Sequence, residues 1–184
     1  MHPDYKQLLQ KFPNGVIPQY PIYNYNNNPS LKPVFDHVFE FRNDHLQYKR
    51  QLLSWPPSYL YFVDNPTKNA FATTRAYNKA IAIFHGLVEK MHAFFQSQET
   101  LINDDAFNDV RAVLKRTGEP AFLAFLENLL SFAYFHEYGH LVQGPRPQNP
   151  NDTEDSTGTI KESDVPMTHA REIDADWLAT NYVA

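Results

Sequence analysis

The chain contains no cysteine, so no disulfide framework holds its fold, and any metal must be bound through nitrogen and oxygen rather than thiolate. That usage is compatible with a reducing cytoplasm. It also lacks basic excess: 16 Lys and Arg face 21 Asp and Glu, a net charge of −5. No clustered basic surface is visible, which argues against a nucleic-acid partner. The start, Met1-His2-Pro3-Asp4, has neither the basic residues nor the apolar stretch of a signal peptide, so export is not expected and a cytoplasmic location is. The Asn151-Asp152-Thr153 glycosylation match is then uninformative. Long apolar runs are missing as well. The most apolar stretch, 121–135, carries Glu127 and Asn128 and falls short of the ~18 residues a membrane span needs. There is no internal repeat, no phosphate-cradling Gly loop and no Ser or Cys nucleophile arrangement. At 184 residues the chain has the length of one domain with one core, 1–184.

What is present is concentrated in the last third. His136-Glu137-Tyr138-Gly139-His140 reads HExxH. On a helix, positions i and i+4 project from one face, so His136 and His140 can present two imidazoles to one tetrahedral Zn²⁺. Glu137 then stands beside the metal, placed to take a proton from a zinc-bound water whose pKa the ion lowers to ~7. The motif lies in a segment, 119–143, whose Phe122, Phe125, Leu126, Leu129, Phe132 and Ala133 form a helical stripe running into His136. This predicts a core helix with the histidines on its buried face. Without a metal, two neutral histidines there would need other hydrogen-bond partners.

A catalytic zinc needs a third protein ligand and an open position for water. Glu172, in Glu172-Ile173-Asp174-Ala175-Asp176, is the preferred third ligand, with His169 one turn earlier as its competitor. The segment 167–183 reads as a helix after the breaker Asp164-Val165-Pro166. Asp176 falls one turn after Glu172 on the same face, while Asp174 projects away. Asp176 is therefore expected to orient a histidine ligand by accepting its other ring N–H.

HExxH followed by ExxxD on a later helix resembles the gluzincin metallopeptidases, to which the thermolysin-like enzymes belong. Asn69-Ala70-Phe71-Ala72-Thr73 further resembles the N-A-F segment of the thermolysin-like and CAAX-type prenyl endopeptidases, where it forms an edge strand over the active-site cleft. The resemblance spans about residues 59–184. It implies a zincin-like α+β fold: a small antiparallel or mixed sheet packed on the HExxH helix and on a following ExxxD helix. It also implies that Asn69 and Ala70 hydrogen-bond an extended substrate by β-strand addition. Families of this kind add a cationic or hydroxyl group for the oxyanion, and spacing does not choose among His169, Arg171, Tyr182 and the N-terminal region.

Elsewhere, residues 1–58 form a Pro-, Tyr- and Asn-rich N-terminal extension of turns and extended connections, with a helix predicted over 33–53. Residues 58–64 and 69–73 read as a hairpin, and 80–84 as a third strand, the competing reading being one long helix over 73–95. Helices are predicted over 87–98 and 101–115. Gly144 and the prolines after it stop the HExxH helix, and the polar stretch 145–165 reads as a mobile loop. No stop signal follows Tyr182-Val183-Ala184, as expected of a piece of a longer chain. The expected function is zinc-dependent hydrolysis of a peptide or protein substrate. The alternative is a catalytically inactive, zinc-stabilised interaction or regulatory module, against which the intact Glu137 speaks.

Overall fold

The computed structural model describes residues 1–17, 19–75, 78–98, 121–143 and 165–183. Along these run helix α1 (Pro3–Lys11), a short 3-10 turn (Tyr25–Asn27), helix α2 (Lys32–Leu52), strands β1 (Ser58–Val63), β2 (Ala70–Arg75) and β3 (Asn78–Phe84), then helices α3 (His85–Ser97), α4 (Ala121–Gln143) and α5 (Val165–Val183). The architecture is α+β with a small mixed sheet, as expected. The helix predicted over 101–115 and the loop over 145–164 lie outside the described residues. None of the helices searched among the described residues is long and apolar enough to cross a membrane.

The sheet order is β1-β3-β2, with β1 and β3 parallel and β2 and β3 antiparallel. This corrects the expected hairpin of 58–64 with 69–73, because β3 lies between those two strands. The covered, apolar residues lie in β1 and β3, which pair with each other: Leu60 to Val63 and Ala80 to Ile83 are each at most 1 % exposed, covered on both faces. Ala70-Phe71-Ala72-Thr73-Thr74-Arg75 is the most polar of the three and is left at the edge. The single helix over 73–95 does not form; helix begins only at His85.

The N-terminal extension belongs to the same core. Tyr5 from α1, Tyr25 and Phe35 are fully buried and join Leu60, Phe62, Ile81 and Leu130 in one cluster. Pro3 sits in the first turn of α1, where its missing N–H costs nothing. Along α2, Phe35, Val38, Phe39, Arg42 and Leu46 are buried at helical spacing, and Arg42 reaches α4 to bond the Glu127 carbonyl and carboxylate and the Ser131 hydroxyl. Lys79 of β3 donates to the Leu141 carbonyl at the other end of α4, with the Trp55 ring beneath it. The HExxH helix is thus held by a cation near each end.

Candidate metal centre

Helix α4 is apolar on nearly every side, so periodicity alone could not say which face is deepest. The most buried residues are Leu126, Leu130, Tyr134, Tyr138 and Leu141. His136 and His140 lie off that stripe, their side chains 20 % and 21 % exposed, which corrects the expectation that they occupy the buried face. The departure matters chemically: a ligand pair on the innermost face could not be reached from solvent.

Helix α5 packs along α4 and brings Glu172 to the histidines. Glu172 Oε2 lies 3.3 Å from both His136 Nε2 and His140 Nε2, and the two Nε2 atoms are 3.1 Å apart. Ligands at zinc bond lengths of ~2.0–2.1 Å in a tetrahedron stand ~3.4 Å from one another, so the spacing fits the ion. Among the described residues, these three are the group able to hold a metal. The His169 side chain, the competing ligand, lies outside the described residues. Pro166, read as a breaker, falls inside the first turn of α5, where a proline is tolerated, so the helix starts earlier than predicted.

Both imidazoles are aimed by partners on their far nitrogens. His136 Nδ1 lies 2.8 Å from Asp176 Oδ1, as expected for Asp176, and a carboxylate there can only accept, so Nδ1 carries the proton. His140 Nδ1 lies 3.2 Å from Gln143 Oε1. With both protons on Nδ1, two Nε2 lone pairs and a carboxylate oxygen converge on one point. The mutual repulsion of those lone pairs is what a bound cation would relieve.

Close approach of α5 depends on Gly139, between the two histidines. A Cβ at that position would stand 3.0 Å from Ala175 Cα and 3.1 Å from Ala175 Cβ, and Ala175 is itself fully buried. Glycine inside a helix costs about 1 kcal/mol relative to alanine, so its presence mid-helix was the available signal. Sequence reasoning did not use it. Gln143 was also missed; its position three residues after His140, on the same helix face, was the clue.

Glu137 is only 9 % exposed. Burial pushes its carboxyl up from the ordinary value, with Glu172 adding to the rise, while His136, His140 and the Ala72 N–H, which donates to it, pull the other way. That contact puts the edge strand at the site. The Phe84 N–H bonds the Asn69 carbonyl, so pairing alternates to leave the main-chain groups of Ala70, Ala72 and Thr74 pointing away from β3. Asn69 is exposed just before the strand and turns its Oδ1 onto the Ala70 N–H at 3.0 Å. Ala70 opens β2. Of the oxyanion candidates, Tyr182 stacks on Phe135 with centroids 4.4 Å apart, and Arg171 gives its main-chain carbonyl to Gln143.

Comparison of the chain with protein-family models, with curated protein sequences and with solved structures finds no match in any of the three.

Proposed function

We propose that the protein is a zinc-dependent endopeptidase of gluzincin type, acting on peptide or protein substrates in the cytoplasm. The observation that carries the reading is the convergence of His136 Nε2, His140 Nε2 and Glu172 Oε2 within 3.3 Å of one another, beside a buried carboxylate that is not one of them. Three protein ligands is the catalytic pattern; structural zinc sites are filled by four. Zinc held there supplies Lewis acidity and lowers the pKa of a coordinated water to about 7.

The chain's own groups divide the remaining work. Glu137, its basicity raised by burial, accepts the proton of the attacking water and returns it to the leaving amine. Asp176 holds His136 with its Nε2 free for the ion. The outward carbonyls of Ala70 and Ala72 and the outward groups of Thr74 offer an extended peptide an edge to pair with, while the Ala72 N–H links that edge to the base. The interaction-module alternative has no use for a buried carboxylate at this position.

The test is Glu137→Gln, which keeps shape and loses the base. With zinc loaded, wild type is expected to cleave members of an unstructured peptide library read by mass spectrometry, and the variant to keep its zinc and lose at least about 10²-fold in rate. Equal cleavage by both proteins would remove Glu137 from the mechanism. A zinc-loaded wild type that leaves the library intact would favour the interaction module.

A further inference from the structure

Gln143, the last residue of α4, does more than close a helix. Its Nε2 donates to the main-chain carbonyl of Arg171 at 2.8 Å, and its Oε1 faces His140 Nδ1 at 3.2 Å. A carbonyl oxygen can only accept, so the Arg171 contact fixes which end of the amide points where. Oε1 must then face the imidazole, and the imidazole must present an N–H to it. One acceptor on α5 thus determines, through one amide, that His140 is protonated on Nδ1 and keeps its lone pair on Nε2, the atom 3.3 Å from Glu172.

The geometry points to Gln143 as a positioning residue that sets the tautomer of His140 and makes it depend on the docking of α5. The inference rests on the metal-centre reading, not on peptide hydrolysis. Two straps cross between the helices in opposite senses. Asp176 reaches from α5 to His136 on α4, and Gln143 reaches from α4 to the α5 backbone. They attach on either side of Glu172, at Arg171 and at Asp176, so the third ligand is located along α4 from both directions. Histidine in water favours the Nε2-protonated form; a His140 released by Gln143 would present the metal with an N–H instead of a lone pair.

The experiment uses the full chain. In zinc-free protein at a pH where imidazole is neutral, ¹⁵N ring shifts report the tautomer of each histidine. Wild type is expected to show Nδ1–H at both His136 and His140. In Gln143→Leu, His140 should move toward Nε2–H while His136, still held by Asp176, serves as an unchanged internal control. Zinc affinity, from competition with a chelator, should fall about 10- to 100-fold. Gln143→Glu keeps the acceptor for Nδ1–H and loses the donor to Arg171, so it should restore the tautomer and recover part of the affinity. The proposal is overturned if His140 stays Nδ1-protonated in Gln143→Leu with zinc affinity within twofold of wild type, or if Gln143→Leu and Gln143→Glu shift the His140 tautomer alike. Absence of zinc binding by wild type would sink the metal centre, while the ring shifts would still decide the role of Gln143. Should Gln143→Leu not fold, the comparison of Gln143→Glu with wild type decides, since unaltered affinity there would exclude the strap to α5.

Discussion

Three acceptor atoms within 3.3 Å of one another repel, and a bound cation would turn that repulsion into attraction, which makes the histidines measurable. His136→Ala or His140→Ala leaves two protein ligands, and metal analysis of either purified variant should find zinc well below one per chain; full retention in both would end the assignment. Gly139 gives a subtler test. Adding a methyl group in Gly139→Ala gains about 1 kcal/mol of helix propensity but drives a Cβ to 3.0 Å from Ala175 Cα, where overpacking costs about 1–3 kcal/mol. The net change in stability should be small and unfavourable, whereas zinc affinity should drop clearly because α5 carries Glu172. Ala175→Gly, which removes one of the two contacted atoms, is expected to recover part of that affinity in the double variant, with thermal melts and chelator competition as the readings. If Gly139→Ala binds zinc as wild type does, close packing at this point does not govern the site.

Helix α4 owes its position to its neighbours. The fully buried Arg42 guanidinium ties α2 to α4 through the Glu127 carboxylate at 2.9 Å and through Ser131. Removing one member of a buried pair leaves the other without compensation, so Arg42→Ala should cost about 3–5 kcal/mol in urea unfolding. Replacing Arg42 and Glu127 together by Met should cost far less, and equal losses in the single and double variants would show that the pair is not what matters. At this scale the sequence was partly legible. Helices α2 to α5 came through because their apolar positions recur every three to four residues, whereas α1, inside a stretch read as turns and extended connections, did not; HExxH with ExxxD brought His136, His140, Glu172 and Asp176 to one place. The neighbours in the sheet did not. Periodicity reports which face of a strand is covered, not which strand lies beside it, and β1 and β3 are both covered on both faces, so that cover does not mark β3 as the central strand. Ala72 escaped because it acts through its own N–H and has no side-chain signature, and Gln143 because its i+3 spacing from His140 says nothing of the α5 carbonyl that orients its amide.

Acid should weaken the whole molecule over two successive pH ranges, through groups far along the chain from the metal motif. His45 sits between α2 and α4 with its Nδ1 2.9 Å from the Tyr134 hydroxyl, and burial, aided by Lys49, lowers its pKa to about 4 from an ordinary 6.5. Its folded pKa is depressed, so the unfolded chain binds the proton first. Stability is therefore full above pH 6.5 and falls as pH drops from 6.5 toward 4, by less than about 3 kcal/mol once solvent screening is allowed for. Asp36 extends the decline. Burial pushes its carboxyl up, but hydrogen bonds from Lys32, Tyr25, the terminal amino group and the His2 N–H outweigh that and hold it at about 2, against an ordinary 3.8. Its contribution is present above 3.8 and is lost as pH falls through 2, and solvent screening of the exposed Lys32 partner keeps it small. Acid release of any bound metal would blur the first range, so urea unfolding should be followed with a chelator present. Wild type should then weaken steeply between pH 6.5 and 4, and His45→Gln, which cannot take up a proton, should weaken less over that interval. Parallel stability profiles for the two proteins would mean that His45 is not the group that titrates.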